Sequence, residues 1–153
     1  MLSNIPFRSF VSAAALGLAA GLTVTTPSDT LAQETAPAKA INLELNALEP
    51  SDKGCRIAFV VQNGLAQDID KAAFEIALFD GQGLVDRLLV LDFQDLPAEK
   101  TKVRRFDLAE ADCAQISRVL VNDATACEGQ GVEAGTCIAA LAPTTRTKII
   151  FGK

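Results

Sequence analysis

Cys55-Arg56-Ile57-Ala58-Phe59-Val60-Val61-Gln62-Asn63 sets the architecture of this chain. Ile57, Phe59 and Val61 alternate with Arg56, Ala58, Val60 and Gln62. The period is two, the composition is rich in β-branched residues, and the turn pair Asn63-Gly64 closes the run. A strand with that much apolar surface on one face must bury it against a second layer. The stretch therefore reads as the central strand of a β-sandwich, with Cys55 at its head as a covalent pin.

Upstream, Ile41 to Leu48 alternates apolar with polar and reads as a half-buried strand. Pro50-Ser51-Asp52-Lys53-Gly54 is a turn between the two. Downstream, Gly64 to Lys71 is a polar loop, and Phe74 to Asp80 is a strand with Phe74, Ile76 and Leu78 on one face. Gly81-Gln82-Gly83 is a tight hairpin turn, because glycine takes positive φ without steric cost. Leu84 to Phe93 is the next strand, apolar on both faces from Leu88 to Leu91.

Leu96 to Lys100 is a second turn, and Thr101 to Leu108 is a strand in which Val103 and Phe106 fall out of phase. That mismatch predicts a bulge at Arg104-Arg105. Ile116 to Asn122 is a strand, Ile138 to Leu141 a single helical turn, and Thr147 to Phe151 the closing strand. Seven short strands with regular turns predict an all-β fold, a seven-strand β-sandwich.

The length, 153 residues, fits one domain preceded by a targeting segment. Residues 1–32 read as a signal peptide. Arg8 supplies the positive region, Phe10 to Leu22 the apolar region, and Thr30-Leu31-Ala32 the small residues at a cleavage site. The apolar run is short for a membrane anchor and no stop-transfer charges follow it. Residues 33–40, Gln-Glu-Thr-Ala-Pro-Ala-Lys-Ala, read as a disordered linker. The sandwich domain spans 41–153.

Four cysteines in an exported chain of this size predict two disulfides. In a sandwich traversed up and down, Cys55 and Cys113 precede strands that run the same way. Cys127 and Cys137 lie together at the other end. The pairing Cys55–Cys113 with Cys127–Cys137 is then the one of three that requires no crossing of the molecule.

Chemistry leaves few marks. Lys plus Arg number 14 against 19 Asp plus Glu, a net charge of -5, which argues against nucleic acid as a partner. There is no His, so the usual general base and the commonest metal ligand are both missing. No Cys-x-x-Cys occurs, and Asp68, Asp70, Asp80, Asp92 and Asp95 do not form a calcium-loop ladder. They read as turn acids. No catalytic residue, metal ligand or cofactor is assigned.

Two features remain. Lys100 to Arg105 is a basic run in an acidic chain, and it reads as charge protecting an edge strand or as a patch for an anionic lipid, glycan or acidic protein. Leu88 to Leu91 is a strand buried twice over or an exposed strip. Together they nominate Leu89, Leu91, Phe93, Lys102, Arg104 and Arg105 as a binding surface.

Val60-Val61-Gln62-Asn63, Ile76-Ala77-Leu78-Phe79-Asp80-Gly81-Gln82-Gly83 and Leu96-Pro97-Ala98-Glu99-Lys100-Thr101 form a series. It resembles the small bacterial Ig-like domains named after a Phe-x-Leu-Tyr-Asp motif, over roughly Ile57 to Leu108. Here Ile76 stands for the motif Phe and Phe79 for Tyr, Glu99 sits where Gly is common, and the four cysteines are additional. The resemblance implies an immunoglobulin- or fibronectin-III-like sandwich outside the cytoplasm and no catalytic residue. The whole chain also resembles secreted alphaproteobacterial proteins labelled as twin-arginine (Tat) pathway signal proteins. Its single Arg8 fits general secretion.

The resulting expectation is a secreted or periplasmic binding module without catalytic activity. Its partner would be a periplasmic or envelope protein, and no membrane span would persist after signal cleavage. The alternatives are a structural envelope-associated protein and a carboxylate-based enzyme.

Overall fold

The computed structural model describes residues 39–153. The expected signal peptide and linker residues 33–38 lie outside that span. Eight strands follow in order: β1 (Ile41–Ser51), β2 (Gly54–Asn63), β3 (Ile69–Phe79), β4 (Val85–Leu96), β5 (Thr101–Ala109), β6 (Arg118–Glu128), β7 (Leu141–Thr145) and β8 (Ile150–Gly152). A 3-10 turn, Cys113–Gln115, precedes β6, and a one-turn helix, α1 (Thr136–Ala139), precedes β7. The strands form two four-stranded sheets, ordered β5-β2-β1-β7 and β4-β3-β6-β8. The fold is the all-β sandwich that the alternation implies.

β2 is central, as expected. Cys55, Ile57, Phe59 and Val61 are buried while the residues between them reach the surface. The Phe59 ring lies 5.4 Å from Phe93 and 5.7 Å from Phe151, and Phe93 lies 5.4 Å from Phe74. The inner faces of both sheets thus meet in one aromatic cluster. Rings at these separations and tilts add to the burial energy.

Both disulfides form with the expected partners. Cys55 joins Cys113 with Cα atoms 5.0 Å apart, and Cys127 joins Cys137 at 5.8 Å. Cys127 sits in the last turn of pairing of β6, because β6 runs on to Glu128 instead of stopping near Asn122.

Three local expectations give way. β3 starts at Ile69, since Ala72 and Ala73 pack inside as strand residues despite their weak β signal. The register of β5 against β2 is unbroken from Gly54↔Ala109 to Gln62↔Thr101, so no bulge occurs at Arg104-Arg105. Phase is kept by turning Arg104 inward with Phe106 and leaving Val103 outside, 56% exposed.

The expected closing strand, Thr147 to Phe151, shortens to β8, and a further strand, β7, forms upstream of it, which raises the strand count to eight. The Thr147 N–H donates to the Thr145 hydroxyl at 3.0 Å, and the Ile149 N–H donates to the Thr147 hydroxyl at 3.1 Å. Hydroxyl bonds of this kind compete with a ladder and bend the chain. β7 then pairs parallel with β1, and β8 pairs parallel with β6.

Candidate functional site

β4 and β5 are the edge strands on the same side of the sandwich, one in each sheet. β4 pairs with β3 from Phe79↔Val85 to Ile69↔Leu96, with continuous register only from Leu78↔Arg87 to Ala73↔Asp92 and irregular ends. Residues two apart share a face. Leu89, Leu91 and Phe93 therefore share the inner face, Leu91 and Phe93 buried and Leu89 half-buried, and past the irregular pairing at Gln94 Leu96 is buried too. Leu91 and Phe93, nominated for the surface, are core residues, and Leu91 gives only an edge to the cleft between β4 and β5.

The exposed row belongs to the other phase. On β4, Leu88 is 55% exposed and Val90 56%, and past a register shift Val85 is 52%; Leu84, in the turn before β4, is 62% exposed. Across the same outer face, Leu88 stands opposite Ala77, which is opposite Leu120 on β6. Ile150 of β8 is exposed beside Arg118, whose guanidinium lies 5.0 Å from the centre of the Phe79 ring. The Cys127–Cys137 connection does not cover β4, because β3 lies between β4 and β6. Leu88 and Val90 could have been found from the sequence by counting phase back from Phe93.

The basic run divides in two. Lys102 and Arg104 lie on the inner face of β5 at its open edge, opposite Val61 and Phe59. They are too polar for the core, so their heads cross to the edge of β4. Arg104 Nε donates to the Phe93 carbonyl at 2.7 Å, and Lys102 Nζ donates to the Asp95 carboxylate at 2.6 Å. Arg104 also reaches that carboxylate at 3.3 Å. The hydrogen bond from Lys102, then its charge and that of Arg104, hold the Asp95 carboxyl below its usual range. Arg105 is on the outer face, exposed, with no carboxylate partner among the described residues.

A second clasp holds the other end of the two edges. Arg87 Nη1 donates to the Ala109 carbonyl at 3.0 Å, while its Nε pairs with Asp86 at 2.6 Å. Between the clasps the edges part, leaving a cleft of about 430 Å³. Leu89, Leu91, Phe106 and Leu108 form its apolar lining, with Arg87 and Arg105 at its margin.

The turn acids act locally. Asp80 accepts from the Gln82 and Leu84 N–H groups, Asp92 from Gln94, and Asp68 from Ala98. Asp80, Asp86, Glu110 and Asp112 line a hollow of about 210 Å³ at the β3–β4 turn. Asp112 caps the 3-10 turn through the Ala114 N–H, and Asp86 is paired with Arg87. Among the described residues no three acids or cysteines converge as metal ligands, and all four thiols are in disulfides. No helix there is long and apolar enough to cross a membrane. The chain matches no family model, no curated protein and no solved structure.

Proposed function

We propose that this chain is exported, loses residues 1–32, and serves as an Ig-like module that binds a periplasmic or envelope protein without chemistry of its own. The observation that carries the reading is the outer face of β4, where Val85, Leu88 and Val90 are each more than half exposed. Contiguous apolar surface of this kind marks contact sites in soluble domains. Two disulfides suit an oxidising compartment. The partition of β5-β2-β1 against β4-β3-β6 supports the Ig-like comparison.

A carboxylate enzyme needs free acids converging on a substrate. The acid-lined hollow is the place to look, and three of its four acids are already bonded to backbone or to Arg87. That supports binding over catalysis.

Capture of periplasmic proteins by the exported protein tests the reading. Leu88→Asp on the exposed row should leave the fold intact and abolish capture. Asn42→Asp, exposed on the outer face of the opposite sheet, should change nothing. Equal capture by all three proteins would remove the β4 face from consideration.

A further inference from the structure

We propose that the cleft between the β4 and β5 edges is a strand-addition site, which takes an extended peptide segment bearing a carboxylate and belonging to a partner protein. The proposal rests on the binding reading and names the chemistry of the bound segment.

Main chain supplies the first argument. An edge strand leaves every second N–H and C=O without a ladder partner. On β4 the clasp from Lys102 and Arg104 satisfies the carbonyls of Phe93 and Asp95 only. From Arg87 to Leu91 the side of β4 turned away from β3 faces the cleft. An extended peptide laid there continues the sheet by main-chain hydrogen bonds.

Side chains supply the second. An added strand alternates its residues across the sheet. Its inward residues meet an apolar floor, the half-buried Leu89 and Phe106 with the edges of Leu91 and Leu108 beneath them. Its outward residues extend the row of Leu88 and Val90. Apolar residues at alternate positions, turned inward, therefore gain burial against that floor.

Charge supplies the third and selects the ligand. The cleft margin carries Arg87 and Arg105. The one acid in the lining, Asp107, is held in a two-pronged pair by Arg56, at 2.8 and 3.1 Å. Arg87 has Asp86, but Arg105 has no carboxylate among the described residues. In a chain of net charge -5 this is a local positive rim, complementary to an acidic residue on the peptide.

The probe is a short peptide alternating valine and threonine between terminal glutamates, titrated into the exported protein with amide shifts recorded. We expect saturable binding, with shifts centred on Leu88 to Leu91. N-methylation of alternate peptide amides, or lysines in place of the glutamates, should weaken binding by about tenfold or more. Arg105→Glu should invert the charge preference at unchanged melting temperature. Absence of binding, equal binding of the N-methylated peptide, or shifts elsewhere would overturn the cleft. Loss of capture in Leu88→Asp without any peptide binding would overturn the cleft alone. Peptide binding with capture unaffected by Leu88→Asp would overturn the sheet-face reading alone.

Discussion

Arg104 and Phe93 join the two sheets at their open side: a guanidinium from β5 ends on a main-chain carbonyl of β4, 2.7 Å away. The Arg104 side chain is only 20% exposed, so the bond is made largely out of water. Inward-pointing charge at a sheet edge blocks end-to-end pairing of sheets. Here it does so at one end of the edge and leaves the rest open.

Arg104→Met keeps the stem and removes the donor. A hydrogen bond from a charged donor contributes roughly 1.5–3 kcal/mol, and partial exposure lowers it to about 1–2 here. The urea midpoint should fall accordingly. Lys102→Met should cost less, since Asp95 is half exposed and its pair with Lys102 is solvated.

Three carboxyls set the acid limb of stability. Asp95 is lowered by Lys102, Asp107 by Arg56, and Glu44 by Asn46 and then Arg146. A carboxyl with a folded pKa below its unfolded value binds fewer protons in the folded state. Its contribution is present above the unfolded pKa and is lost as pH falls through the folded one. Stability should therefore decline below the ordinary carboxylate range, about pH 4. Asp95→Asn should flatten that decline, measured as the difference between urea midpoints at neutral pH and at acid pH.

Asn63 is the one polar residue in the buried set. Its Nδ2 donates to the Gln67 and Leu96 carbonyls at 2.9 and 2.8 Å, and its Oδ1 accepts from the Leu65 N–H at 3.0 Å. One side chain thus holds the β2–β3 loop and the end of β4 together. Asn63→Ala would strand buried groups on both, at roughly 1–3 kcal/mol each before relaxation. We expect a net loss of about 3 kcal/mol in chemical unfolding, and faster proteolysis between Gly64 and Asp68.

The two bridges should differ in weight. Cys55–Cys113 closes a separation of 58 residues and Cys127–Cys137 one of 10. Chain entropy gives about 4 and about 3 kcal/mol respectively. Paired Cys→Ala variants compared by urea unfolding should rank in that order. The reverse order would show that local packing around α1, where Cys137 is buried, outweighs loop closure.

Where one face is buried and one is wet, period two is readable, and β1, β2 and the centre of β3 follow directly from it. The disulfide pairing follows too, because both cysteines of each pair sit at one end of the strands. Leu88 to Leu91 is opaque for the opposite reason. Four consecutive apolar residues have no phase of their own, and only Phe93 and the pairing with β3 decide which two are buried. The break between β7 and β8 depends on hydroxyls of Thr145 and Thr147, which apolar periodicity does not register. The clasps are side chain to main chain across 11 and 22 positions, so no local pattern announces them.

The parallel partners of β1 and β6 both come from residues 141–152. Neither sheet is complete until that part is free to pair. Non-local closure of this kind is slow, because the entropy of bringing distant segments together is spent before their contacts form. Completion of both sheets is therefore gated by the pairing of residues 141–152 with β1 and β6. A chain without residues 141–152 would hold two three-stranded sheets with β1 and β6 newly exposed at their edges, and would be correspondingly prone to wrong partners.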